Sequence, residues 1–286
     1  MKHFLLWGSL ALISLGGCDV IEDPVVPART GYREDLYGPP PEFPSVETPV
    51  QHVLLEDFTA HQCGNCPDAA RIAEELAASR PGLAVCAIHA GNLALTDDDH
   101  FDTDWTTEEG DVFWSQLDFQ ANPLGRVNRA GGPGNFFAPA QWEAEVDAAL
   151  AAPARVHLAL QSDYVAAAGH LNVHVHGQFF DNVAGPLNLA VLVLESDLVD
   201  YQLDYSSTPE VVPDYVFKHV LRGSLNGALG TGFGTASDGA STGDKALISF
   251  TYNWNEAWVL ENSTLLAVLT GPDGTVLNVV EQELGE

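Results

Sequence analysis

Two cysteines separated by two residues are the side chains of this chain best suited to chemistry. Cys63-Gly64-Asn65-Cys66 is a CxxC motif, whose sulfurs can close a small disulfide. Where such a motif begins a helix, exposed backbone N–H groups and the helix dipole stabilise the first thiolate and lower its pKa. Cys63 would then attack a substrate disulfide, and Cys66 would resolve the mixed disulfide. The spacing therefore indicates thiol–disulfide exchange.

Two other uses of the motif stay open. A zinc site needs more ligands than one cysteine pair, and the chain has no second CxxC. His61 and His89 could supply nitrogen ligands instead. The pair could also be an inert structural disulfide, because secreted and envelope compartments allow disulfides to persist.

The residues around the motif predict a strand, a helix and a second strand. Residues 52–58 form an apolar run of strand length before the motif, and residues 83–88 form another after it. Between them, apolar residues recur at the spacing of one helix face: Ala69, Ile72, Ala73 and Leu76. This order is typical of a thioredoxin-like unit.

Two further residues resemble the pattern of thioredoxin-like proteins. Asp57 lies six positions before Cys63, where such proteins have a buried acid that exchanges protons with the resolving cysteine. The alternative for Asp57 is a solvent-facing residue at a strand end. Pro123 follows a predicted helix and precedes an apolar segment, where these proteins have a cis-proline that faces the CxxC. The resemblance thus implies Asp57 as proton acceptor and Pro123 as the residue that orients the substrate chain.

An acidic stretch lies between the second strand and Pro123. Eight Asp and Glu residues fall between positions 97 and 111, with no Lys or Arg among them. Calcium favours clustered carboxylates, so the weak candidates for a metal site are Asp97, Asp99, Asp102 and Asp104. The alternative is a solvated loop that leads into a helix near Glu108. We expect no other cofactor, because the dithiol is itself the redox centre.

The first residues predict export and lipid attachment. Residues 1–17 carry a positive charge and then a short apolar stretch, which suits a signal peptide and not a membrane-spanning helix. Residues 15–18 are similar to a bacterial lipobox, which implies cleavage before Cys18 and acylation of that cysteine. The alternative is an ordinary signal peptide with an incidental cysteine. Residues 18–50 hold seven of the 17 prolines and predict a semi-rigid tether.

The charge of the chain excludes several classes of partner. Its 286 residues include 11 Lys and Arg against 40 Asp and Glu, a formal net charge of −29. Nucleic-acid binding and a polybasic membrane patch both need clustered Lys and Arg, so we exclude them. A hydrophobic content of 46% also excludes an acidic disordered chain. The partners that we expect are the membrane, through the N-terminal lipid, and envelope proteins as redox partners.

The second half of the chain has a different pattern. Apolar residues alternate over residues 156–160 and 171–175, run continuously over 187–194, and predict one strand over 216–221. Turn residues between these short runs, as at 271–274, favour an antiparallel sandwich. The fold class predicted is therefore an α/β thioredoxin-like domain over 51–152, followed by an all-β, sandwich-like domain over 153–286.

Two smaller features complete the set of candidates. His170, His174 and His176 fall on one face of a predicted strand and could bind a transition metal. The alternative is a polar, solvent-facing surface. Cys86 lies within an apolar strand, so we predict a buried and reduced thiol.

Several segments together resemble a known family. Besides the CxxC, they lie across most of the chain: 54–59, 88–91, 107–111, 122–129 and 219–222. They are similar to the lipoprotein family related to the 28-kDa outer-membrane protein of Bacteroidetes. The resemblance implies a thioredoxin-like domain, then a β-domain, on an envelope lipoprotein that faces the periplasm or the surface. An outer-membrane location is favoured over the inner membrane.

Two functions are therefore compatible with the sequence. The first is a membrane-tethered thiol–disulfide oxidoreductase. The second is a non-enzymatic binding or structural lipoprotein, in which Cys63–Cys66 is a structural disulfide. The motif departs from the thioredoxin pattern at two positions, with Gln62 in place of an aromatic residue and Asn65 in place of a proline.

Overall fold

The structure is a computed structural model that describes residues 31–97, 99–234 and 238–285. The predicted signal peptide, residues 1–17, and the predicted lipid site, Cys18, lie outside the described residues. None of the helices within the described ranges is long and apolar enough to cross a membrane.

The described residues form mostly β-structure with a few helices. The helices are α1 Glu34–Tyr37, α2 Cys66–Ser79, α3 Glu108–Ser115 and α4 Pro139–Leu150. The strands of the first half are β1 Val53–Thr59, β2 Leu83–His89 and β3 Leu124–Val127. Those of the second half are β4 Val156–Val165, β5 His170–Phe179, β6 Asn188–Glu195, β7 Leu198–Leu203, β8 Val211–Phe217, β9 Val220–Ser224, β10 Thr231–Gly232, β11 Lys245–Asn253, β12 Ser263–Thr270 and β13 Val276–Glu283.

The helices begin where local chemistry favours them. Thr107 is the N-cap of α3, and its Oγ1 accepts a hydrogen bond of 2.9 Å from the backbone N–H of Gly110. Pro67 and Pro139 lie in the first turns of α2 and α4, where the missing N–H costs no helical hydrogen bond. The predicted helix starts near residues 66 and 108 are therefore confirmed.

One mixed sheet joins strands from both halves of the chain. Its order is β13-β12-β6-β9-β2-β1-β3, and β10 pairs with β6. β1 runs parallel to β2 and antiparallel to β3, whereas β6, β12 and β13 pair antiparallel. The two predicted domains thus share a sheet, through the contact of β2 with β9. The division at residue 152 itself stays a prediction.

A separate antiparallel sheet packs against one face of the mixed sheet. Its order is β11-β5-β4, and the apolar residues of β4 and β5 point toward β6 and β12. Leu171, Val173 and Val175 of β5 are fully buried in this layer. Beside it on the same face of the mixed sheet, helix α2 covers β1 and β2 near the motif. The CxxC therefore lies outside the core between the two sheets.

The single strand predicted over residues 216–221 is wrong. His219 has a positive φ of 54°, so the chain turns there and separates β8 from β9. β8 pairs with β7 in a two-stranded hairpin, while β9 joins the mixed sheet beside β2. The apolar run could not show this turn, because neither Gly nor Pro marks it.

The histidine-bearing face of β5 is covered by another part of the chain. Residues 31–50, hereafter the strap, lie over this surface, and each histidine meets one aromatic ring of the strap. Tyr32 lies edge-on to His174 with ring centroids 4.7 Å apart, and Phe43 stacks on His176 at 5.2 Å. Tyr37 Oη is 2.5 Å from Nδ1 of His170. His174 and His176 are consequently buried, so the solvent-facing alternative is wrong for them.

Hydrogen bonds hold the strap at both ends. The backbone N–H of Arg33 donates to Oγ1 of Thr251 at 3.0 Å, beside the isolated bridge between Gly31 and Phe250. Near the other end, Val46 exchanges two hydrogen bonds with the side-chain amide of Gln178, at 3.0 and 2.9 Å. This part of the predicted tether is therefore docked on the β11-β5-β4 sheet.

Strap docking is predicted to weaken in acid. Burial lowers the pKa of His174, and burial together with Lys245 and His157 lowers that of His176. The docked form therefore favours neutral imidazole, and its stability falls as pH drops below the ordinary histidine pKa. Hydrogen exchange of the strap amides, corrected for intrinsic rates, should be faster at about pH 5 than at about pH 7.5.

The double substitution His174→Gln and His176→Gln is the matched control, since it keeps polar side chains without the titration. Its strap exchange should not change with pH after the same correction. Equal strap protection of the unmodified protein at both pH values would show that the histidines do not control docking.

Candidate redox site

Cys63 and Cys66 form a disulfide at the start of α2. Their Cα atoms are 5.4 Å apart, and the backbone N–H of Cys66 donates to the carbonyl of Cys63 at 3.0 Å. Strand β1 leads directly into the motif, and α2 begins at Cys66 itself. Both sulfur-bearing residues are nevertheless buried, with exposed fractions of 4% for Cys63 and 2% for Cys66.

Asp57 is buried on the α2 side of β1. Its register partner is Ala87 of β2, and both residues line the same small cavity as Cys66. Oδ1 of Asp57 has no hydrogen-bond partner among the described residues. Burial raises the pKa of this carboxyl to about 7, because nothing nearby compensates the charged form. The solvent-facing alternative for Asp57 is therefore wrong.

The neighbouring carboxyl of Glu56 has the opposite surroundings. Strand alternation points it to the other face of the sheet, where it accepts hydrogen bonds from Arg126 at 3.1 Å and Arg129 at 2.7 Å. Burial alone would raise the pKa of Glu56, but the two guanidinium groups outweigh it and lower that pKa. The residues 126 and 129 of the family-like segment 122–129 thus have a structural partner in Glu56.

Pro123 lies beside the end of β1. The Asn122–Pro123 peptide bond is cis, and the side-chain amide of Asn122 donates to the carbonyl of Thr59 at 3.1 Å. Leu124 pairs with Phe58, which places Pro123 next to the last residue of β1, just before the chain enters the motif. Pro123 does not line the cavity that Asp57 and Cys66 share.

Residues of the motif region and of the β7–β8 hairpin line this cavity together. Asp57, Cys66 and His89 lie on its walls, and Gln202, Tyr215 and Phe217 line it from the β7–β8 hairpin. It offers about 30 Å³ of space, enough for about one water molecule. Asp57 and Cys66 therefore share one small cavity that is sheltered by the hairpin.

The β7–β8 hairpin, which covers the motif, was not predicted from the sequence. The side-chain amide of Gln202 donates to the carbonyls of Cys63 and Ala60, at 3.2 and 3.3 Å. The only available signal was the alternation of Val199, Tyr201 and Leu203, which is typical of a strand. Nothing in that alternation indicates which surface the strand would cover.

The zinc alternative has no support in this geometry. Metal binding needs cysteine thiolates, whereas both sulfurs here are joined to each other. Nε2 of His61 lies 3.0 Å from the carbonyl of Leu95, and the ring nitrogens of His89 have no partner among the described residues. Burial, His61 and Arg222 lower the pKa of His89 to about 3, so it is a neutral imidazole.

The acidic candidates do not converge on a common point. Oδ1 of Asp97 accepts backbone N–H groups of residues 99–101, and Oδ1 of Asp104 accepts from Thr106. Asp99 and Asp102 are exposed. No group of three or more His, Cys, Asp or Glu side chains in the described ranges is arranged to hold a metal ion. Two of the four weak calcium candidates thus stabilise the loop that contains them.

Cys86 is a free, buried thiol, as predicted. It pairs with Glu56 in the register of β1 and β2, and burial raises the pKa of the thiol well above its usual value. Cys86 is therefore chemically inert and separate from the disulfide.

Comparison with known protein families identifies the family of this chain. The family described as outer membrane protein Omp28 matches residues 111–286, more than half of the chain. The chain belongs to the Omp28 outer membrane protein family. This membership places it in the cell envelope, at the outer membrane. The matched region of this Omp28 protein includes Pro123 but not Asp57 or the CxxC.

Solved structures share the fold of this Omp28 protein. HBP35 of Porphyromonas gingivalis superimposes with a TM-score of 0.60 at 17% identity, over 84% of this chain and 77% of that one. A protein of Agrobacterium tumefaciens superimposes with a TM-score of 0.51 at 10% identity, over 84% and 97%. At these identities the likeness concerns the fold alone. No curated protein matches the chain.

Replacing the buried carboxyl of Asp57 should stabilise the protein above neutral pH. Its pKa of about 7 in the folded state exceeds the unfolded value of 3.8, so the folded protein retains the proton longer. Stability therefore falls as pH rises between these two values, and Asp57→Asn removes the loss. Denaturant unfolding of the oxidised variant at about pH 8 should show a gain of at most about 4 kcal/mol.

Glu56→Gln is the matched control, at the adjacent position on the same strand. It leaves two buried guanidinium groups without their carboxylate, so it should lose about 3–5 kcal/mol. A variant Asp57→Asn no more stable than the unmodified protein at alkaline pH would mean that the carboxyl is hydrated or paired.

Proposed function

We propose that this Omp28 protein carries out thiol–disulfide exchange through Cys63 and Cys66, within a thioredoxin-like domain. The observation that carries the proposal is the unpaired, buried carboxyl of Asp57 in the same cavity as Cys66. A purely structural disulfide has no need of such a carboxyl, which destabilises the folded protein wherever it is ionised. Perturbed acids of this kind are concentrated at functional sites.

The exchange begins from the disulfide that the structure contains. A substrate thiolate attacks Sγ of Cys63, forms a mixed disulfide and expels the thiolate of Cys66. A second substrate thiolate then attacks the substrate sulfur of the mixed disulfide and releases Cys63. The substrate loses an electron pair and gains a disulfide, while the CxxC becomes a dithiol. The reverse sequence, with Cys63 as the attacking thiolate, reduces a substrate disulfide.

Asp57 donates a proton to the resolving cysteine, Cys66, or accepts one from it. In the first direction its carboxyl gives a proton to the departing Cys66 thiolate, and in the reverse direction its carboxylate takes that proton back. A pKa of about 7 suits both directions near neutral pH. The cavity beside Cys66 has room for about one water molecule, which can bridge the two groups.

Two other features support the orientation of the reacting atoms. The N-terminus of α2, the positive end of its dipole, lies at the motif and favours thiolate at Cys63. Pro123, beside the end of β1, is the residue that we assign to orienting the substrate chain.

We further propose that the protein is a lipoprotein, exported by residues 1–17 and anchored through lipid on Cys18. Its partners would then be envelope proteins that reach the site from the periplasm or the surface. The net charge of −29 favours neutral or basic polypeptides. Exchange rates with basic substrates should fall as salt rises, because salt screens the attraction.

One observation favours the alternative function. Both cysteines are almost completely buried, whereas an attacking thiol must reach its substrate. A disulfide that is never exposed would be a structural staple in a binding or structural envelope protein. A reduction potential below roughly −300 mV would favour that alternative, since such disulfides resist physiological reduction.

Trapping of mixed disulfides distinguishes the two functions. With Cys66→Ala, Cys63 can attack a substrate but no resolving thiol follows, so mixed disulfides with envelope proteins should accumulate. Non-reducing gels of the full-length variant in its native envelope should show high-mass species that a reductant removes.

Cys63→Ala is the control, because it retains Cys66 but lacks the attacking thiol, and it should trap far less. Equal trapping by both variants, or none by Cys66→Ala, would contradict the exchange function. The buried Cys86 is present in both variants, so any background from it cancels.

A further inference from the structure

The β7–β8 hairpin hydrogen-bonds to the backbone of the CxxC turn. The backbone N–H of Leu203 donates to the carbonyl of His61, and that of Tyr205 donates to the carbonyl of Gly64, both at 2.9 Å. The donors are two residues apart along the hairpin, as in the edge of an extended chain. Together with the Gln202 side chain, they cover the peptide groups that flank the disulfide.

Side-chain packing completes this cover. A Cβ atom on Gly64 would lie 2.6 Å from the ring of Tyr205, so the ring rests directly on the motif's glycine. Tyr201 of the hairpin stacks on His100 with ring centroids 4.9 Å apart. The hairpin therefore covers the disulfide turn, and the hairpin itself contacts the neighbouring acidic loop.

The hairpin is attached to the rest of the protein by a narrow neck. Asp197 before β7 and His219 after β8 both have positive φ, at 59° and 54°, and Lys218 forms an ion pair with Asp197 between them. Among the described strands, β7 and β8 pair only with each other. Isolated two-stranded hairpins are marginally stable, so only its contacts with the body hold this one closed.

We infer that the β7–β8 hairpin is a displaceable lid, and that an extended polypeptide segment takes its place on the CxxC turn during exchange. This inference rests on the proposed function. The carbonyls of His61 and Gly64 then accept hydrogen bonds from the substrate backbone instead of from Leu203 and Tyr205. Recognition through main-chain groups suits unfolded polypeptides of varied sequence. Opening the lid also exposes Cys63 and admits water to Asp57.

Reduction kinetics of the full-length protein in detergent test the lid. Dithiothreitol reduces the Cys63–Cys66 disulfide and is itself oxidised to its cyclic disulfide, so the rate reports access to the sulfurs. Tyr205→Ala and Gln202→Ala should each accelerate this reduction about tenfold, because each removes contacts that hold the lid closed. Val199→Ala is the matched control on the same hairpin. Val199 is 63% exposed, so its truncation removes little packing and the reduction rate should not change.

Hydrogen exchange of the unmodified protein provides a second readout that does not depend on variant folding. The amides of Leu203 and Tyr205 should exchange faster than the amides of β1, because lid opening breaks only their bonds to the motif. The lid inference would be contradicted if both amides were protected as strongly as those of β1. It would also be contradicted if Tyr205→Ala and Gln202→Ala left the reduction rate unchanged.

A synthetic dithiol peptide of about a dozen residues separates the lid from the proposed function. If both the lid inference and the exchange function are correct, the oxidised protein oxidises this peptide. Tyr205→Ala and Gln202→Ala then oxidise it faster than Val199→Ala does. If dithiothreitol reduces the two lid variants faster but no protein oxidises the peptide, the lid inference is supported and the exchange function is contradicted. If all the proteins oxidise the peptide at equal rates, the exchange function is supported and the lid inference is contradicted.

Discussion

Strand β1 contains two adjacent buried carboxyls, and alternation along the strand forces them to opposite faces of the mixed sheet. Glu56 meets two arginines, so its charge is compensated and its pKa is lowered. Asp57 meets no cation, so burial raises its pKa to about 7. The first carboxyl stabilises the fold by holding β3 and the segment after it. The second reduces stability at neutral pH, and the role that we propose for it is proton exchange with Cys66.

The burial of Asp57 depends on residues distant in the sequence. Tyr215, Phe217 and Gln202 of the hairpin line the cavity above it, while Val85 and Ala87 belong to the adjoining strand. The shared sheet explains how this arrangement arises, since β9 pairs with β2 and directs the hairpin over the motif. The second half of the chain therefore sets the chemistry of a motif that belongs to the first.

Much of this arrangement could be predicted from local sequence, and the rest could not. The CxxC, the apolar run of β1 and the helix face of α2 each have a characteristic spacing, and Asp57 is identified by its distance from Cys63. The hairpin cover depends on contacts between residues 139 to 142 positions apart, such as those of Gln202. The strap depends on rings that meet β5 across more than a hundred residues. Periodicity shows which face of a strand is apolar, but not which distant segment covers the other face.

The pKa of Asp57 is the quantity on which this account depends most directly. A carbon-13 NMR titration of its side-chain carboxyl, assigned with Asp57→Asn, measures that pKa in the oxidised protein. We predict a value of about 7, with the Glu56 carboxyl titrating well below it. An Asp57 pKa near the ordinary 3.8 would contradict the account, because the carboxyl would then be solvated or paired and could not exchange protons with Cys66 near neutral pH.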